Sequence, residues 1–142
     1  MNFPTASAEI IHAGNCFAFG EYIACVYQSM SAAEMGLRAL ASHLGVTLPY
    51  PIELADWGKL LGEIEEKIQN MQKPPKTADK DEELSFCSDA MALFRHFKNA
   101  YRNHIAHARA HYDERQAQSI MDRTREFIEL LATQLKEPDF VE

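Results

Sequence analysis

Within seven residues, Tyr101-Arg102-Asn103-His104-Ile105-Ala106-His107, the chain sets a permanent cation, an amide and a titratable imidazole. Arg102 is charged at any physiological pH, and its planar fork matches phosphate oxygens. His107, with an unperturbed pKa near ~6.5, can take up and return a proton at neutral pH. Together they supply what metal-free attack on a phosphodiester requires. The imidazole activates a ribose 2′-hydroxyl, and the guanidinium balances charge growing on the phosphate. Asn103 can orient that phosphate or hold His107 in one tautomer. At about 100° per residue, Arg102 and His107 fall about 140° apart on a helix. A site using both therefore draws on a second helix or a second copy of the chain.

Other polar residues surround this trio. His96, Asn99, Asn103 and His107 step by three or four and so form a ladder along one helical flank. A purely solvated face in an acidic chain would carry Glu and Lys, whereas amides and imidazoles suit a groove or an interface. His96, Asn99, His104 and His111 are thus secondary candidates. His104, His107 and His111 also spell His-x-x-His-x-x-x-His, and imidazole is a common zinc ligand. Three ligands on one straight helix rarely converge on one ion, and Asp113 is the one nearby acid, so no metal is expected there. The plainer role for Arg102 and His107 is that of cations complementing the negative end of a helix.

The elements that must position these residues read as helices throughout. Ser7 to Phe19 is a short one, stopped by Gly20. Glu21 to Leu44 follows, with a stripe of Ile23, Val26, Met30, Ala33, Leu37, Leu40 and Leu44; its many alanines let neighbours approach closely, and Gly45 ends it. Pro49 and Pro51 mark a connector, after which Asp56 fits a cap. The stripe of the next helix is Trp57, Leu60, Leu61, Ile64, Ile68 and Met71, with Glu63, Glu65, Glu66 and Lys67 facing water. Lys73 to Asp81 reads as a solvated loop. Glu82 to about Ala108 carries the Arg102–His107 stretch and buries Cys87, Ala90, Phe94, Phe97, Tyr101, Ile105 and Ala108. Base stacking by its aromatic residues is outweighed by their core-like spacing. Ala110 to Tyr112 make a turn, and Asp113 with Gln116 fits a capping box. The last helix has a stripe of Ala117, Ile120, Met121, Thr124, Phe127, Ile128, Leu131 and Leu135, and Pro138 ends regular structure. The expected fold class is all-α: an antiparallel up-down bundle of about five helices.

The 142 residues fit a single domain, 1–142, with a real core. Hydrophobic residues at 46% and charged residues at 25% are ordinary for a globular chain. A net charge of −7 argues against a general nucleic-acid binder. A local site could still act on RNA if Arg95, Lys98, Arg102 and Arg109 cluster. Cys16, Cys25 and Cys87 are odd in number, lack paired ligand spacing and sit among apolar residues, so they read as buried free thiols in a reducing compartment. Neither a signal peptide nor a membrane span is recognisable, which places the chain in the cytoplasm without a membrane partner. No glycine-rich phosphate loop, Ser-His-Asp arrangement or internal repeat is evident, and no cofactor is expected.

Arg102-Asn103-x-x-x-His107, late in one helix and followed by an Asp-started amphipathic helix, resembles the HEPN domain (higher eukaryotes and prokaryotes nucleotide-binding). That family's signature is Arg, four to six residues, then His, often with a polar residue after the Arg. The resemblance spans Phe94 to Leu135 and is compatible with the helical pattern elsewhere. It implies a dimeric helical bundle, a metal-independent ribonuclease with a composite site at the dimer interface, and a toxin–antitoxin or phage-defence setting. In such a setting an antitoxin or nucleotidyltransferase is the partner. The toxin branch modified by a nucleotidyltransferase carries Tyr two residues after the His; here that position is Arg109. Acidity and the shortness of the motif favour the competing expectation, an inactive HEPN-like module that binds a nucleotide or a protein partner.

Overall fold

The structure, a computed structural model, describes residues 2–47, 57–73, 77–107 and 111–137, with the side chains of all these except 57 and 96–107. Among them lie five helices and no strand: α1 Pro4–Ala18, α2 Tyr22–His43, α3 Trp57–Met71, α4 Ala78–His107 and α5 Glu114–Ala132. The all-α class expected from periodicity is therefore found. Asp56, Pro49, Pro51 and Pro138 lie outside the described residues, as do the side chains of Trp57, Phe97, Tyr101 and Ile105.

Local chemistry sets where the helices begin and end. α1 starts three residues earlier than its apolar pattern suggests, because Pro4 occupies its first turn, where a fixed φ and a missing N–H cost nothing. Its cap, Phe3, offers no side-chain acceptor. The Glu137 carboxylate takes that role, accepting from the backbone N–H of Thr5 at 3.1 Å and of Ala6 at 2.9 Å. A carboxylate there also meets the positive end of the helix. Gly20 and Gly45, at φ 75° and 71°, turn the chain out of α1 and α2. Glu21 N–H then donates to Cys16 O at 2.8 Å, and Val46 N–H to Ala41 O at 3.0 Å. α4 also starts early: residues 78–81, expected in a loop, are helical. Thr77 Oγ1 accepts from Lys80 N–H at 3.1 Å, and Asp79 and Asp81 lie in the first turn, where negative charge is favoured.

α2 is central, buried from Cys25 to Ala41 on the sides facing its neighbours. Gly36 lets α5 come close: a Cβ there would stand 2.8 Å from Ile128 Cδ1, 2.9 Å from Leu131 Cδ1 and 3.0 Å from Phe127 Cε1. The Phe94 and Phe127 rings, 5.3 Å apart and tilted by 59°, join α4 to α5. Leu60, Leu61, Ile64 and Ile68 bury α3. Ile23 departs from its expected place in the α2 stripe and is 38% exposed. Burial on that helix begins only at Cys25, whose Sγ lies 4.0 Å from Met121 Sδ on α5. No helix among the described residues is long and apolar enough to cross a membrane.

These contacts fix the two ends of the bundle. Cys25 beside Met121 and Gly36 beside Ile128 and Leu131 make α2 and α5 run the same way. His43, in the last turn of α2, meets Glu83, near the start of α4, so α4 runs against them. One end therefore gathers the start of α2, the finish of α4 and the start of α5. The other gathers the finish of α2 and the start of α4.

Candidate functional site

α4 keeps helical backbone through His107, so Arg102, Asn103 and His107 stand on its last two turns. By helix geometry Arg102 and His107 are separated by about 7.5 Å along the axis and about 140° around it. The side chains of Arg102, Asn103, His107, His96, Asn99 and His104 lie outside the described residues. His111 is described and exposed, just before α5.

The start of α5 is firmly defined. Asp113 Oδ1 accepts from Gln116 N–H at 2.7 Å while Gln116 Oε1 accepts from Asp113 N–H at 3.0 Å, completing the expected capping box. This reciprocal pair stops α5 from unravelling towards the motif. On the other side of the junction, α4 is anchored to the core by Cys87, Ala90, Met91 and Phe94. The motif thus occupies the outer end of a helix fixed at its base.

Alongside α4 runs a cleft of about 440 Å³, lined by Glu65, Ile68 and Gln69 of α3, by Gln72 just after it, and by Ser88, Met91 and Arg95 of α4. Ser88, Arg95 and Arg102 are successive steps of seven residues, about two turns each, and so share one line along α4. Arg95 is the described cation on that line. Glu65 opposes it from α3, so the lining is polar with mixed charge.

A second cluster, not expected from the sequence, lies at the opposite end of α4. His43 Nε2 contacts Glu83 Oε1, and Cys87 Sγ donates to the same oxygen at 3.6 Å. The nitrogen, oxygen and sulfur all lie within 4.8 Å of one another. Burial pushes the Cys87 thiol up to about 12, helped by the Glu83 charge and by the hydrogen bond to it. Burial is also the main cause that raises Cys25, with Cys16 adding and Ser29 opposing. All three cysteines are free thiols as expected, though Cys16 is only half-buried. Glu83 and Cys87, one turn apart, were legible as neighbours; His43, forty residues earlier, joins them only through packing.

A model of the HEPN domain family matches residues 3–135, which takes in all five helices. The chain belongs to the HEPN domain family. No curated protein and no solved structure is significantly similar to it. The HEPN match covers the N-terminal helices as well as the Phe94–Leu135 hairpin from which the resemblance was drawn. In this HEPN domain the Arg102-Asn103-x-x-x-His107 stretch falls at the end of one helix and just before the next, the placement that the resemblance implied.

Proposed function

We propose that this HEPN domain is a metal-independent endoribonuclease working as a homodimer, in a toxin–antitoxin or phage-defence setting in the cytoplasm. The observation that carries the proposal is the unbroken helical backbone of α4 through His107, in a chain that belongs to this family over nearly its whole length. On such a rod the positions of Arg102 and His107 fall about 140° apart around the axis. Two copies packed end to end would let Arg102 of one protomer work beside His107 of the other.

In this scheme His107 takes the proton of the ribose 2′-hydroxyl, which attacks the neighbouring phosphorus. Arg102 offsets the charge growing on the phosphoryl oxygens, and Asn103 fixes the phosphate or the imidazole. As the P–O5′ bond breaks, the 5′ oxygen takes a proton, leaving a 2′,3′-cyclic phosphate and a 5′-hydroxyl. The α3–α4 cleft supports an approach for RNA, because Arg95 lies on the same line of α4 as Arg102. A dimer is supported by exposed Ile11, Phe19, Ile23 and Tyr27 on α1, its cap and the first turns of α2. Three of these four flank the α1–α2 turn, at the end of the bundle that holds the motif.

The net charge of −7 and the presence of Glu65 in the cleft favour a second reading, a non-catalytic module that binds a nucleotide or protein through the same helix. Incubation of untagged protein with mixed RNA in EDTA separates the two. The nuclease reading expects products ending in cyclic phosphate and a loss of at least ~10²-fold in rate for both His107→Ala and Arg102→Ala. Mixing the two variants should restore part of the activity, since one composite site of the mixed dimer is then intact. Absence of cleavage by the parent, or equal cleavage by the variants, points to the binding module.

A further inference from the structure

We propose that His43, Glu83 and Cys87 form a binding site for a divalent transition-metal ion of the zinc class, which clasps the end of α2 to the start of α4. The three residues supply an imidazole nitrogen, a carboxylate oxygen and a sulfur from two helices, all within 4.8 Å of one another. Zinc accepts each of these three ligand types, and where three protein ligands hold it a water takes the fourth position.

The geometry fits with little movement. Zinc bonds of about 2.0–2.3 Å at tetrahedral angles put neighbouring donor atoms roughly 3.3–3.6 Å apart. Cys87 Sγ and Glu83 Oε1 already stand 3.6 Å apart. His43 and Glu83 are closer than that, so the imidazole must move outward to admit the ion. Both side chains are partly exposed, 31% and 33%, and have room to do so. Cys87 is fully buried beneath them. A buried sulfur beneath a partly exposed carboxylate and imidazole leaves the solvent side open for a water as fourth ligand.

Binding forms a metal–sulfur bond, and the thiol proton leaves to solvent. The ion replaces the direct His43–Glu83 contact with bonds to both partners, so the α2–α4 link is kept and gains Cys87. His107 is twenty residues from Cys87, or about 30 Å along α4, so this ion takes no part in the chemistry proposed at the other end.

Cobalt is the informative probe. Untagged, chelator-treated protein titrated with Co²⁺ should develop the visible bands of tetrahedral cobalt and a near-ultraviolet thiolate-to-cobalt band, and Zn²⁺ should abolish both. His43→Ala should weaken Co²⁺ binding by more than 10-fold, and Cys87→Ser should remove the thiolate band. Zn²⁺ should raise the melting temperature of the parent but not that of His43→Ala, a substitution at a partly exposed position that leaves the core intact if Cys87→Ser folds poorly. The proposal falls if no thiolate band appears at millimolar Co²⁺. It falls equally if His43→Ala keeps the parent's band, affinity and Zn²⁺-dependent stabilisation, since the ion then sits elsewhere.

Discussion

At the scale of single residues, burial keeps a thiol of this chain inert. Cys25 is fully buried and its thiol is held above its ordinary range, so the folded state keeps it protonated. In the unfolded chain the same thiol ionises near pH ~8.5. Below that pH both states hold the proton and the contribution to stability is complete. Above it only the unfolded chain loses the proton, so stability falls as pH rises towards the folded value. Urea midpoints measured from pH 7 to 10 should therefore drop more steeply for the parent than for Cys25→Ala. Parallel slopes would show that Cys25 does not differ between the two states. Arg102 and His107 were legible as candidates because their types alone define what they could do. The His43–Glu83–Cys87 cluster was not, because it joins one residue of α2 to two of α4 and leaves no local spacing to read.

At the scale of elements, most boundaries were legible because they are set by local chemistry. Gly20 and Gly45 end their helices in the left-handed conformation that glycine adopts without strain. Asp113 and Gln116 start α5 through the box that their spacing implied. Replacing Asp113 with Ala removes the acceptor for Gln116 N–H and should cost about 1 kcal/mol. Chemical denaturation would measure this, and a change below a few tenths would mean that packing alone fixes the start of α5. The boundaries that shifted had partners outside the apolar pattern. Residues 78–81 joined α4 through Thr77 and two acidic residues of the first turn. α1 depends on Glu137, more than 130 residues away, for a cap that its own sequence lacks.

At the scale of the whole molecule, α2 and α5 pack tightly against each other at Gly36. Here the glycine is needed for space, since any side chain would enter the volume held by Phe127, Ile128 and Leu131. Alanine would press on the flexible tips of Ile128 and Leu131. Leucine has no such escape, and Gly36→Leu should cost at least about 3 kcal/mol, at the upper end of overpacking penalties. Thermal unfolding would detect this as a large fall in midpoint, whereas an unchanged midpoint would mean that α5 can move away freely.

The sequence by itself determined the helical class, the order of the helices, most of their ends and which residues are candidates for work on a phosphodiester. These follow from periodicity, caps and side-chain chemistry, which act over one or two turns. Only the tertiary structure decided which helix ends meet, because that depends on contacts between residues tens of positions apart. It set Phe3, Phe86 and Met91 in the core and left Ile23 outside it. It opened the α3–α4 cleft beside Arg95, and it brought His43 to Glu83 and Cys87 at the end of α4 far from His107.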